Sequence, residues 1–135
     1  MQFDTTIAVV LLDSLEVWQK TNVTALLVSG IAGTVPGVVG EPYRDASGHE
    51  YLPMFVQPVL VYAADGDALR RAYERALSSG VTPAVYTRDL FETNHDDANR
   101  AAVAVVAADD LDLVGIAFRG AQDGRQDRRR LRFHP

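Results

Sequence analysis

Two stretches near the start of the chain have clear and different hydrophobic patterns. Residues 6–12, TIAVVLL, form a continuous run of apolar and β-branched residues, which predicts a strand covered on both faces. The apolar residues of the next stretch recur at helical spacing, which predicts a helix that stops near Gly33. We expect a loop between these elements, and its residues include Trp18, Gln19, Lys20 and Asn22.

A strand, a helix and another strand are predicted in the middle of the chain. Residues 59–63 read as the second strand, and Asp65 or Asp67 can cap the helix that follows and ends at Gly80. Residues 83–87 read as the third strand. A crossover of this length predicts that the two strands run parallel.

The remaining patterns predict shorter elements within one domain that spans residues 1–135. The Asp-Ala-Ser-Gly turn between Tyr43 and Tyr51 indicates a hairpin or a projecting loop. Residues 99–106 are rich in alanine and favour a helix, although residues 103–106 would also suit a strand. Strands are predicted at residues 113–118 and, more briefly, at 131–133.

The charge is unevenly distributed. Residues 1–120 hold 8 Lys and Arg against 16 Asp and Glu, whereas residues 121–135 hold 5 Arg against 2 Asp. An acidic body disfavours nucleic-acid binding, because phosphate contacts need a basic surface. Only the arginines of the terminal segment could contact RNA, and a solvated segment explains them more simply.

Cysteine is absent, which excludes disulfides, thiolate metal sites and a cysteine nucleophile. No apolar run approaches the roughly 20 residues of a membrane-spanning helix, and no basic leader precedes the first apolar stretch. We therefore expect a soluble cytoplasmic protein without a membrane partner.

Several segments in a fixed order carry a resemblance to a known family. They are WQKTNVTA at 18–25, GEPY at 40–43, YLPM at 51–54, PVLV at 58–61, YTRDLF at 86–91, NRAAV at 99–103 and DLVGIA at 112–117. In these segments the chain resembles the domain-of-unknown-function 2000 family, and the order of its elements resembles that of the type 2 peptidyl-tRNA hydrolases. The resemblance implies a three-layer α/β/α sandwich with a mixed, mostly parallel sheet of four or five strands, and a homodimer.

The resemblance to the hydrolases also implies an activity. In those enzymes a lysine in the first loop and an Asp-x-x-x-Thr pair after the third strand cleave the ester between a peptide and tRNA. The matching residues here are Lys20, Asp89 and Thr93. The chain departs from that pattern in its acidic body and in the replacement of the basic, glycine-containing loop around the lysine.

The residues themselves point to the same region. Lys20 is the only lysine beside twelve arginines, and burial can lower the pKa of a lysine but hardly that of an arginine. Loops at the carboxyl ends of parallel strands share one sheet edge, so Lys20 and Asn22 could face Asp89 and Thr93 across a cleft. Asp89 would then act as a general base, Thr93 would supply a hydroxyl and Asn22 would bind a carbonyl oxygen.

Further ligand contacts are predicted at His95 and Arg100, in or beside the same loop. Local roles explain these residues more simply, since such side chains often form loop hydrogen bonds or tie down loops. Two hypotheses remain open: a small hydrolase that cleaves an acyl ester or amide in a small acyl or peptidyl substrate, and a non-catalytic ligand-binding or regulatory module. Both hypotheses leave open whether tRNA is a partner.

No metal and no cofactor is predicted. The three histidines are too scattered for a zinc or iron site, and no His-x-x-x-His pair occurs. The glycines between Gly30 and Gly40 follow a helix instead of opening one, so they form neither a dinucleotide fingerprint nor a phosphate-binding loop.

Overall fold

The structure of the chain, a computed structural model, describes residues 5–121 and the backbone of residues 132 and 133. Its seven strands are β1 (Thr5–Leu12), β2 (Tyr43–Arg44), β3 (Glu50–Tyr51), β4 (Val59–Ala64), β5 (Ala84–Thr87), β6 (Leu113–Ala121) and β7 (Arg132–Phe133). The three α-helices are α1 (Val17–Thr34), α2 (Gly66–Ser78) and α3 (Asp96–Ala104). Two 3-10 turns, Arg88–Glu92 and Ala108–Asp110, follow β5 and precede β6. The described part is thus an α/β fold whose strands and helices match most of the predicted elements.

The main sheet is mixed, with the strand order β5-β6-β1-β4-β7. Neighbours β1 and β4 run parallel, whereas the other three neighbouring pairs are antiparallel. The expectation of a mostly parallel sheet is therefore wrong for neighbouring strands. Strands β1, β4 and β5 do share a direction, but β6 lies between β1 and β5 and reverses the pairing on both of its sides.

Helices α1 and α2 pack against opposite faces of the sheet. The alternation of side chains along β1 sends Val9 and Leu11 to the cluster that contains Val23 and Leu27 of α1. Val10, between them, joins the cluster built around α2. This double coverage explains why residues 6–12 are almost continuously apolar.

A two-stranded hairpin projects between α1 and β4, as its aromatic flanks and turn residues predicted. Asp45 holds its turn by accepting hydrogen bonds from the amides of Ser47 and His49 and from the hydroxyl of Tyr51. Gly48 has a φ of 88°, a backbone conformation that favours glycine. The base of the hairpin is closed by a bridge between Val39 and Phe55.

Candidate functional site

The carboxyl ends of β1 and β4 form a switch point in the topology of the sheet. These strands are parallel neighbours, but β1 leads into α1 on one face and β4 leads into α2 on the other. Such a point leaves a crevice outside the strand ends, and ligands of open α/β sheets bind there. We therefore expect a ligand site at the start of α1, among the side chains beside it.

The first turn of α1 begins earlier than the hydrophobic pattern indicated. Glu16 is its N-cap and forms a capping box with Gln19: the Gln19 side chain accepts from the Glu16 amide at 2.9 Å, and the Glu16 side chain accepts from the Gln19 amide. The helix then starts at Val17. The expectation that Lys20 and Asn22 lie in a loop is wrong, because reciprocal capping extends the helix over both residues.

Lys20 lines an open pocket on one flank of α1. The pocket has a volume of about 410 Å³, and Leu11 of β1 and Val61 of β4 contribute apolar walls from the sheet. Thr21 and Thr24 of α1 add hydroxyl groups, although the Thr24 hydroxyl donates to the Lys20 carbonyl at 2.7 Å. Lys20 is half-buried as a residue, and within residues 5–121 its ammonium makes neither an ion pair nor a hydrogen bond. The pocket thus combines apolar walls with one uncompensated cation.

The opposite flank of α1 contacts the turn that follows β5. The Trp18 ring meets the Phe91 ring edge to face, with centroids 6.1 Å apart, and Phe91 in turn contacts Tyr86 at 5.1 Å. Burial raises the pKa of the Tyr86 hydroxyl above its ordinary value. Asn22 lies four residues after Trp18, so it is on the same flank of the helix and exposed. Asp89 is exposed in the 3-10 turn that presents Phe91.

Thr93 ends that 3-10 turn through local hydrogen bonds. Its hydroxyl donates to the Leu90 carbonyl at 3.0 Å and also contacts the Asn99 side-chain oxygen. The Thr93 hydroxyl has one hydrogen, which it cannot donate to both oxygens at once. Either the Asn99 amide group donates to the Thr93 oxygen, or the hydroxyl alternates between the two acceptors. The arrangement joins the turn to α3.

His95 and Arg100 also interact within their own segment. His95 is the N-cap of α3, and its Nδ1 accepts from the Ala98 amide at 3.2 Å. Arg100 pairs with Asp96 and, at 2.5 Å, with Asp97. Hydrogen bonds to Asp96, and then to Asp97, raise the pKa of Arg100 above its ordinary value. These pairs are exposed, so they add little to stability.

The structure separates the predicted site residues into two groups. Lys20 lies on the β4 flank of α1, whereas Asn22 shares the other flank with the turn that contains Asp89 and leads to Thr93. Strands β4 and β5 are three strand spacings apart, roughly 14 Å at about 4.8 Å each. That Lys20 faces Asp89 across one cleft stays a prediction, since Lys20 is held by α1 and not by β4.

Sequence reasoning missed the pocket beside Lys20. Lys20 and Thr24 are four residues apart on α1, a signal that could have placed them on one face of the helix. The contribution of Val61 could not be read in the same way, since it depends on the parallel pairing of β1 with β4. The predicted contacts of the terminal arginines, Arg125, Arg128, Arg129 and Arg130, lie outside the described residues.

Two features are absent from the described residues. No group of three or more His, Cys, Asp or Glu side chains in this part of the chain is arranged to hold a metal ion. None of the described helices has the length and apolarity to cross a bilayer.

The fold and the pocket define a small α/β domain with a crevice at a topological switch point. The family model described as a protein of unknown function, DUF2000, matches residues 5–124, and the chain belongs to this family. A solved structure of a protein of unknown function from Agrobacterium tumefaciens strain C58 is similar, with 41% sequence identity and a TM-score of 0.93. The match covers 99% of this chain and 100% of that one. A comparison with curated proteins found no match.

Proposed function

We propose that this domain binds a small amphipathic molecule in the pocket beside Lys20, without transforming it. The observation that carries the proposal is the half-buried Lys20 side chain, whose ammonium has no partner within residues 5–121 and which borders walls formed by Leu11 and Val61. An unpaired ammonium beside apolar walls gains from a charge-assisted hydrogen bond to an anionic partner. Because the Glu16 side chain already accepts from an N-terminal amide of α1, the lysine is the main group offered to an anion.

The pocket favours a carboxylate attached to a branched apolar group. Its volume of about 410 Å³ falls within the range of small-molecule sites, roughly 300–1,000 Å³. The carboxylate would pair with Lys20, and the apolar group would contact Leu11 and Val61. The Thr21 hydroxyl donates to the Val17 and Trp18 carbonyls, so its oxygen would accept from an amide N–H of the ligand. N-acetyl-leucine has all three features and serves as the probe.

The test compares wild type with Lys20→Met by calorimetric titration of N-acetyl-leucine. The variant keeps a long side chain and removes the charge, so we expect at least tenfold weaker binding. Arg71→Met is the matched control, since Arg71 is an exposed cation on the helix that covers the other face of the sheet. Equal affinity in wild type and Lys20→Met would contradict the proposal.

A hydrolase that cleaves an acyl ester or amide is the second candidate. Its support is the contact between Trp18 and Phe91, which brings the flank that carries Asn22 next to the turn that carries Asp89. Asp89 would act as the general base, Thr93 would assist and Asn22 would bind the carbonyl oxygen. Lys20 would have to act from the other flank of α1, which is why we place this candidate second.

The ethyl ester of N-acetyl-leucine separates the two candidates. The hydrolase would release ethanol from the ester, and Asp89→Asn would abolish that release. The binding domain would bind the ester weakly, since it lacks the carboxylate, and would leave it intact. Peptidyl-tRNA, tested in the same way, decides whether the resemblance to the type 2 peptidyl-tRNA hydrolases extends to their substrate.

Three further properties are proposed on the resemblance. The helices on both sheet faces are consistent with the three-layer arrangement of the type 2 peptidyl-tRNA hydrolases. A homodimer is supported by exposed apolar side chains in and beside the hairpin, namely Tyr43, Tyr51, Leu52 and Met54. The lack of cysteine supports a reducing compartment such as the cytoplasm. Light scattering would measure the molar mass of wild type and of Leu52→Glu. A wild type with the mass of a monomer, unchanged in Leu52→Glu, would contradict the dimer.

A further inference from the structure

A second pocket lies at the opposite edge of the main sheet. It is bordered by the last turns of α1, by the segment that enters β5, and by Arg119 near the end of β6. Its volume is about 450 Å³. The Lys20 pocket lies near the first turns of the same helix, so one ligand of this size cannot span both.

The guanidinium of Arg119 is held in place from one side. Its Nε donates to the Gln57 side-chain oxygen at 3.1 Å, and the Gln57 amide nitrogen donates in turn to the Thr5 hydroxyl at 2.5 Å. Arg119 pairs with Ile7 across β1 and β6, and Ile7 points into the core beneath α1. Because directly paired residues share a sheet face, Arg119 also points towards α1.

The terminal amino groups of this guanidinium are available for a ligand. In the part of the chain that the structure describes, they make no hydrogen bond and no ion pair. The lining of the pocket includes no Asp or Glu side chain. A positioned arginine without a carboxylate can bind an anion through two parallel hydrogen bonds.

The rest of the lining is mostly apolar. Ile31 contributes from α1, Val35 from the C-cap of that helix, and Val81 and Pro83 from the segment before β5. We infer that this pocket is a second binding site, independent of the Lys20 pocket, and that it takes a short-chain monocarboxylate. The carboxylate pairs with Arg119, and the chain lies against the apolar wall.

The chain offers a variant that fills the pocket without disturbing its neighbours. Gly30 lines the pocket from within α1, and a Cβ atom built there has no other atom within 4 Å beyond its own turn of helix. Gly30→Leu should therefore place a side chain in the pocket while the helix persists. Arg119→Gln removes the charge instead of the space, so the two variants test separate parts of the inference.

Hexanoate and hexanamide are the probes, and backbone amide NMR is the readout. We expect hexanoate to shift amides around Arg119 and Val81 and not those around Lys20, and hexanamide to bind at least tenfold more weakly. Arg119→Gln and Gly30→Leu should each weaken hexanoate binding at least tenfold, whereas Arg71→Gln should not change it.

Three results would overturn the inference: no shift near Arg119, shifts centred on Lys20, or unchanged binding in Gly30→Leu. If Arg119→Gln does not fold, Gly30→Leu and the comparison with hexanamide still decide the outcome. Since neither probe is used to test the Lys20 pocket, failure here leaves the proposed function standing.

Discussion

The ring of Trp18 lies edge to face against the ring of Phe91, at an interplanar angle of 67°. This contact joins the first turn of α1 to the 3-10 turn after β5 and marks one flank of the helix. Lys20, two residues later, lines a pocket on the other flank. Trp18 and Lys20 therefore have different neighbours, although both lie in the first turns of the helix.

Removing the Phe91 ring should loosen this connection. Phe91 is half-buried against the core beneath α1, and burial of a whole Phe side chain contributes about 1.5–3 kcal/mol. We expect Phe91→Ala to lower the free energy of unfolding by about 2 kcal/mol. Trp18 is the only tryptophan, so its emission should move to longer wavelength in the same variant. Unchanged emission together with unchanged stability would contradict the contact.

Gly115 permits the close approach of α1 to β6. A Cβ atom at this position would lie 2.8 Å from Val23 Cγ1 and 3.2 Å from side-chain carbons of Leu11 and Leu27. Gly115→Ala should therefore destabilise the fold by about 1–3 kcal/mol, measured by urea unfolding. Gly30→Ala is the control: it meets no neighbour and should stabilise α1 by about 0.5–1 kcal/mol. Equal effects of the two substitutions would argue against this packing.

The hairpin should respond to pH through Asp45 and Tyr51. The hydrogen bond from the Tyr51 hydroxyl, and then that from the His49 amide, lower the pKa of Asp45 below its ordinary 3.8. A lowered folded-state pKa means that the contribution to stability is complete above 3.8 and is lost as the pH falls through the lowered value. The same bond raises the pKa of Tyr51 above 10.0, so its contribution is complete below 10.0 and is lost as the pH rises through the raised value.

NMR titration of the Asp45 carboxyl carbon checks this coupling. Tyr51→Phe should move the pKa of Asp45 back towards 3.8, because the largest cause of the shift is removed. Tyr43→Phe, which alters the residue paired with Tyr51 in the hairpin, should leave that pKa unchanged. The same pKa in Tyr51→Phe as in wild type would show that the bond is not formed in solution.

Thr93 should matter for stability, whatever it does for activity. Its hydroxyl closes the 3-10 turn on the Leu90 carbonyl and contacts the Asn99 side chain of α3. Thr93→Val keeps the shape and removes these bonds, so we expect a loss of about 1 kcal/mol in the free energy of unfolding. Thr93→Ser retains the hydroxyl and should lose less. Wild-type stability in Thr93→Val would leave the local role without support.

The sequence predicted elements better than it predicted their arrangement. The local patterns of residues 6–12 and 59–63 predict strands, and the structure confirms both. Strand order is a non-local property: nothing in the pattern of residues 113–118 indicates that this strand inserts between β1 and β5. That insertion reverses the pairing on both sides of β6 and makes the sheet mixed.

The predicted start of α1 is wrong for a local reason. Glu is not among the preferred N-cap residues, so the Glu16 and Gln19 capping box did not stand out as a helix start. None of the four residues from Trp18 to Thr21 is buried, so the hydrophobic pattern does not place them in the helix. The hydrophobic pattern therefore predicts a loop at Lys20, whereas this residue lies within the first turns of the helix.

A double-mutant cycle on Lys20 and Asp89 tests the central claim most directly. The affinity for N-acetyl-leucine would be measured in wild type, Lys20→Met, Asp89→Asn and the double variant. Residues that are well separated act additively, whereas members of one active centre do not. We predict at least tenfold weaker binding with Lys20→Met, no change with Asp89→Asn, and a double variant equal to Lys20→Met. Comparable losses of affinity in both single variants, with no further loss in the double variant, would contradict the account. Lys20 and Asp89 would then belong to one shared site.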